Sequence, residues 1–119
     1  MLSFEANDFV VAGAREQRVQ HVTVTPDVSD TLVRGTILAN DGDGTYSVLA
    51  DDGNGNSNVD DAEVILAEDV PAGNADVVAT VYVSGDFVLE GLTANETLTD
   101  AAVVNLKNAG IYLTHGVEA

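Results

Sequence analysis

Apolar and polar positions alternate in short runs along most of this chain, with Gly, Asn, Asp and Pro between the runs. Val22-Thr23-Val24-Thr25 alternates and stops at Pro26, which predicts a short strand. Leu32 to Ala39, with Gly35 inside it, predicts a second. Asn40-Asp41-Gly42-Asp43-Gly44 is a turn signal, and Tyr46 to Ala50 returns as a strand. A long Gly/Asn/Asp loop, Asp51 to Asp61, leads into Val64-Ile65-Leu66. After the Pro71-Ala72-Gly73-Asn74 turn, Val77, Ala79, Val81 and Val83 share one strand face and Val78, Thr80, Tyr82 and Ser84 the other. Neither face carries charge, so this strand is expected to be central and covered on both sides. Gly85 marks a sharp point before a second apolar run from Phe87.

One helix is predicted near the C-terminus. Thr97-Leu98-Thr99-Asp100 has capping-box spacing, Ala102, Leu106 and Ala109 fall on one face, and Gly110 stands where a helix stops. Ile111-Tyr112-Leu113 follows as a strand. Residues 1–20 lack clean periodicity yet include Phe4, Phe9, Val10 and Val11. Apolar residues without a core pattern predict an arm that folds against this domain or a partner. The expected organisation is an extended N-terminal arm (1–20) and a mainly β domain (21–119) with one short C-terminal helix.

Composition narrows this picture. The 119 residues make one domain with a modest core. Only 5% are aromatic and Trp is absent, so that core is built from Val, Leu, Ile and Ala, which favours tight packing over a large ligand cavity. Without cysteine there are no disulfides, thiolate metal sites or cysteine nucleophiles. The start of the chain carries Glu5 and Asp8 and does not read as a signal peptide. No segment approaches the roughly 20 apolar residues of a membrane span.

Charge changes the picture most. The net charge is −16, with basic residues only at Arg15, Arg18, Arg34 and Lys107. Residues 1–35 hold three basic and five acidic residues, a net of −2, and residues 36–119 carry the remaining −14. Such a surface repels nucleic acid, which argues against direct DNA or RNA binding. It also repels itself, except at molar salt, where the Debye length falls to about 3 Å. The acidic excess with a single lysine points to a salt-loving source.

Candidate chemistry is sparse. Asp52, Asn54, Asn56, Asp60 and Glu63 fall at positions 1, 3, 5, 9 and 12 of an EF-hand-like loop, and Val59 takes apolar position 8. Oxygen ligands at this spacing can surround Ca²⁺. The sixth position is Ser57 rather than glycine, and the flanks read as strands, so an acidic hairpin loop competes with a Ca²⁺ site. His21 and His115 stand at opposite ends without a consistent carboxylate partner. Ser3, Ser29, Ser47, Ser57 and Ser84 lie in no nucleophile elbow, and no P-loop or dinucleotide fingerprint is present. Arg15 and Arg18, three apart, can pair with carboxylates of a partner or act as solubilising charges. The residues point to no enzyme.

The order of blocks carries a resemblance. Val22-Thr23-Val24 with Leu32 to Leu38, then Ala62-x-x-Ile65-Leu66-Ala67-Glu68-Asp69-Val70, then Val81-Tyr82-Val83-x-Gly85-x-Phe87, then Leu106-x-x-x-Gly110-Ile111-x-Leu113 span residues 20–114. Each block is a short β pattern. Together they resemble the head decoration proteins of tailed viruses, the family of the phage lambda capsid stabiliser. That resemblance implies a β-clip-like fold and a homotrimer made in the host cytoplasm. The trimer would sit on the outer surface of the virion head, bound to the major capsid protein, with no membrane and no cofactor. It would stabilise the expanded shell against packaged DNA. The arm, with Phe4, Phe9, Val10, Val11, Arg15 and Arg18, would be its capsid-binding segment. The acidic excess departs from the family pattern and suggests a halophilic host; the Asp51–Asp61 loop also departs from it. Two rival readings are a Ca²⁺-stabilised extracellular adhesion or surface-layer module and a trimeric β-clip enzyme of nucleotide metabolism.

Overall fold

Short alternating runs cannot bury both of their faces alone, and this chain solves that by curling its strands into a barrel and covering part of the outside with a helix. The computed structural model describes residues 17–114. Strands β1 (Arg18–Val24), β2 (Ile37–Asn40), β3 (Thr45–Val48), β4 (Ala62–Leu66) and β5 (Val77–Val88) precede helix α1 (Asp100–Ala109) and strand β6 (Ile111–Thr114). The sheet order is β1-β3-β2-β4-β5-β6, and β1 also pairs with β5. That extra pairing closes a small five-stranded barrel, to which β6 adds along β5. The mainly β fold with one helix near the C-terminus is therefore as expected.

Alternation divides the core into two layers. Val24, Leu32, Leu38, Val64, Leu66, Val70, Ala79 and Val81 form one buried cluster, inside the barrel. Ile37, Ala39, Leu49, Val59, Ala62, Ile65, Phe87, Ala102, Leu106 and Ile111 form the other, between the barrel wall and α1. Within β5, Ala79 and Val81 belong to the first cluster whereas Phe87 belongs to the second. Gly85, with φ +138°, sits between them and lets the strand turn its pleat without interruption.

Several boundaries differ from the sequence reading. The strand expected over Leu32 to Ala39 is β2 at Ile37–Asn40 only. Gly35 adopts φ +96°, and Thr36 folds back so that its N–H and hydroxyl both donate to the Val33 carbonyl. Leu32 instead makes an isolated bridge to Val70. The arm boundary moves forward, because Arg18, Val19 and Gln20 are already in β1 and paired with Ser84, Tyr82 and Val81. Strand β5 is central, between β1 and β4, but it is not covered on both sides along its length. Val78 is 71% exposed and Val77 39% exposed, at the end of the strand where β1 pairs with it and β4, which pairs only with Val81 and Tyr82, does not.

The helix begins at Asp100, and Thr99, not Thr97, is its N-cap. The Thr99 hydroxyl accepts the Ala102 N–H at 3.0 Å and donates to Asp60 at 2.5 Å. Capping from Thr99 puts Ala102 at the position a capping-box carboxylate would need, so no box forms. Ala102 and Leu106 are buried as expected, whereas Ala109 is exposed. Gly110 ends the helix in the left-handed region at φ 112°.

Candidate functional site

The acidic loop folds more tightly than its composition suggests. Asp51 bridges Ser57, and Val59–Asp61 form a short 3-10 helix whose Val59 is buried in the helix-side core. Between them the Asp52 carboxylate accepts the Asn54 N–H at 2.7 Å, the Asn56 N–H at 3.2 Å and the Asn56 side-chain amide at 2.7 Å. The Asn56 side chain, then the loop N–H groups, hold the Asp52 carboxyl below the usual carboxylate range. Asp60 instead accepts from Thr99 at the helix N-terminus. Glu63 accepts from Asn40 Nδ2 at 3.1 Å and from the Tyr46 hydroxyl at 3.2 Å.

The EF-hand spacing therefore brings Asp52 and Asn56 together and gives Asp60 and Glu63 partners elsewhere. Among the described residues, no three His, Asp or Glu side chains gather as a group able to hold a metal ion. The aim of Glu63 has a backbone cause. Leu38 pairs with Val64 and Ala39 with Ala62, which leaves Glu63 as the extra residue of a β-bulge. The bulge turns Glu63 towards β3 while Ala62 and Ile65 both remain in the helix-side core. Burial, then the Glu63 charge, pushes the Tyr46 hydroxyl above its ordinary pKa.

Sequence reasoning did not single out the cavity beside this bulge. It has a volume of about 310 Å³ and is lined by Asn40, Asp41, Gly42, Asp61, Glu63 and Asn105. Its walls come from the β2–β3 turn, the β4 entry and α1. Asp41 is engaged within the turn by Ser47 (2.8 Å) and Thr45 (3.2 Å), and Asn105 donates to the Ala62 carbonyl at 2.7 Å. These polar groups lie 21 to 64 positions apart in pairs such as Asn40 with Asp61 or Asp41 with Asn105, so no local motif announces them.

The second surface of interest lies at Gln17 and the start of β1. Phe4, Phe9, Val10, Val11 and Arg15 lie outside the described residues, as does His115. Of the arm residues, Arg18 lies at the start of β1, opposite Ser84. Past Ser84, strand β6 takes over the ladder on β5, beginning with Gly85 opposite Ile111. Gln17 packs over that junction so closely that a Cβ on Gly85 would lie 3.0 Å from Gln17 Cγ. A cavity of about 480 Å³ beside it is lined by Arg18, Val19, Gln20, Val83, Ser84 and Ala109.

The outer face of the β1–β5 pair continues from there, with Val19 opposite Tyr82, His21 opposite Thr80 and Thr23 opposite Val78. Val19 is 56% exposed, and the His21 ring lies 3.2 Å from the Thr80 hydroxyl. Tyr82 turns the other way: its ring packs 5.2 Å from Phe87, and its hydroxyl accepts from Arg34 at 3.0 Å. The basic residues Arg18 and Arg34 thus belong to the barrel, and His21 lies on an exposed strand face beside Thr80. No protein-family model matches this chain, and no curated protein matches it.

Proposed function

We propose that this chain is a non-enzymatic decoration protein of a tailed-virus head, which binds the outside of the expanded capsid as a homotrimer and stabilises it against packaged DNA. One observation supports this reading above the others. The blocks that carry the resemblance are the same residues that build the two buried layers, from Val24 and Leu38 through Ile65, Leu66, Val70, Val81 and Phe87 to Leu106 and Ile111. They are scaffold, and what is left for function is surface.

The binding element of this reading is residues 1–16, which precede Gln17 in the chain; the described barrel opens with the basic Arg18 and the exposed Val19. Strand addition is a natural way for such a segment to dock on the major capsid protein, because it satisfies backbone groups and uses alternate side chains as anchors. Three segments on one trimer bind a lattice far more tightly than one does. The acidic remainder keeps the particle surface soluble in the high salt of a halophilic host.

The test is removal of residues 1–16, a cut that spares Gln17 and the whole of β1. The truncated chain is expected to keep its fold and its trimeric mass in high salt, and to lose co-sedimentation with empty heads. Normal decoration by the truncated chain would remove the arm from the mechanism, and monomeric mass of the full chain would remove the trimer. Heat of Ca²⁺ binding with a raised melting temperature would favour the Ca²⁺-stabilised surface module instead.

A further inference from the structure

Four peptide bonds in this chain join Asp or Asn to Gly among the described residues: Asp41–Gly42, Asp43–Gly44, Asp52–Gly53 and Asn54–Gly55. Each is chemically able to close a five-membered succinimide, because a following glycine has no Cβ to obstruct its own backbone nitrogen. Closure needs that nitrogen free to attack and the side-chain carbonyl free to swing onto it. The structure distinguishes the four on these grounds.

Gly42 N–H donates to Asn40 Oδ1 at 2.7 Å, and Gly53 N–H donates to Asp51 Oδ1 at 2.9 Å. At both bonds the nucleophile is occupied. Their electrophiles are held as well, Asp41 by Ser47, and Asp52 by Asn54 and Asn56. At Asp43–Gly44 the carboxylate accepts the Thr45 hydroxyl at 2.6 Å and the Thr45 N–H at 3.2 Å. Those bonds keep it ionised, and an ionised carboxylate is a poor electrophile.

Asn54–Gly55 shares an unengaged glycine N–H with Asp43–Gly44, but its electrophile is free as well. Neither the Asn54 side-chain amide nor the Gly55 N–H has a hydrogen-bond partner among the described residues, whereas the loop bonds on either side are made. Positive φ, open space at the glycine and exposure are common to all four bonds, so the engagement of the side chain decides among them. An amide is also a better electrophile than an ionised carboxylate.

We propose that Asn54–Gly55 is a self-modifying site, converted by water to aspartate and isoaspartate while the barrel stays folded. The Gly55 nitrogen, its proton taken by hydroxide, attacks Asn54 Cγ. The new C–N bond forms as the Cγ–Nδ2 bond breaks, and ammonia leaves with a proton from solvent. Water then adds to either carbonyl of the succinimide and opens one of its two C–N bonds. One product carries the chain through the original carbonyl, and the other carries it through Cγ with one extra backbone carbon. Either adds a negative charge beside Asp52, whose carboxylate already accepts the Asn54 N–H. The longer isomer also disturbs the Asp52 N–H bond to the Asn56 carbonyl, 3.1 Å. The reaction thus loosens the loop and leaves β3 and β4 untouched.

The experiment incubates the folded full chain at mildly alkaline pH and follows peptides by mass spectrometry, with isoaspartate read by enzymatic methylation. The mass gain of exchanging NH₂ for OH is expected first in the peptide holding Asn54, with isoaspartate in excess and a rate that climbs with pH. Asn54→Gln should abolish it and Gly55→Ala should slow it several-fold, while Asp41, Asp43 and Asp52 stay unisomerised. A synthetic peptide of residues 50–58 serves as the unfolded reference. Conversion of that peptide while Asn54 of the folded chain stays intact would overturn the proposal, as would earlier reaction at any other Asn or Asp. Neither result bears on capsid binding.

Discussion

The two buried layers are built from different residues and held by different means. Inside the barrel the side chains are Val, Leu and Ala, and each strand is hydrogen-bonded to its neighbours around a ring. Under α1 the layer holds the largest buried side chain, Phe87, with Ile37, Ile65, Leu106 and Ile111, and its cover is a single ten-residue helix. A helix that short is marginal alone, so its order comes from the face it buries and from its ends. Thr99 ties the N-terminus to Asp60, Asn105 ties the middle to the Ala62 carbonyl, and at the C-terminus the Gly110 N–H caps the helix's own Leu106 and Lys107 carbonyls. Closure gives the barrel redundancy that the helix layer lacks.

The largest expected effect comes from emptying the helix layer. Phe87→Ala removes its biggest side chain and the ring contact with Tyr82, at a cost of about 3–5 kcal/mol. Urea unfolding should show a lowered midpoint and a shallower slope, as α1 detaches before the barrel opens. Leu38→Ala, inside the barrel, should cost about 2–5 kcal/mol with the slope unchanged. Equal slopes for the two variants would dissolve the distinction between the layers.

Gly110→Ala comes next. The position has φ +112°, and a Cβ there would stand 3.1 Å from Ser84 Cβ and 3.2 Å from the Val83 carbonyl. The strained left-handed turn alone costs roughly 1–2 kcal/mol, and the contact with β5 adds to it. Because the turn launches β6, amide exchange should quicken in α1 and β6 and stay slow in β2 and β4.

Thr99→Ala removes the cap and the link to Asp60, for about 1 kcal/mol read from thermal unfolding. Thr99→Ser should restore most of it, which separates capping from packing of the threonine methyl.

The smallest effect is titration. Asp27 lies in the loop after β1 and Asp52 in the loop after β3; the Ser29 and Asp30 N–H groups at Asp27, and the Asn56 side-chain amide then the loop N–H groups at Asp52, hold both carboxyls below their ordinary range. A folded-state pKa lowered this way contributes stability that is present above the unfolded value, about 3.9. That contribution is lost as pH falls through the lower folded values. Both groups are exposed, so the changes are local. Amide shifts of Ser29, Asp30, Asn54 and Asn56 should move together below about pH 4, with strand amides still protected. Loosening at Asp52 alone would show that the β3–β4 loop is the more acid-sensitive of the two.

Much of this architecture is legible in the residues. The alternation of β5, the Gly110 stop, the β2–β3 turn and the all-aliphatic barrel interior are local patterns, and local patterns are what a sequence states directly. The candidate site was far less legible. The EF-hand-like spacing marks ligands by separation along the chain, but the loop spends Asp52 on its own backbone and the bulge at Glu63 turns that carboxylate to Asn40 and Tyr46.

The sequence by itself determined the number and character of the elements, the absence of thiol chemistry and the acidic surface, since these follow from composition and period. The tertiary structure alone decided which alternation faces the barrel and which faces α1, because that depends on pairings such as β1 with β5 across 53 to 66 positions. It also decided that Gly85 changes the layer a strand serves, and that Asn54 is the unengaged partner among four similar dipeptides. Each of those outcomes depends on which hydrogen bonds the surrounding backbone has already taken.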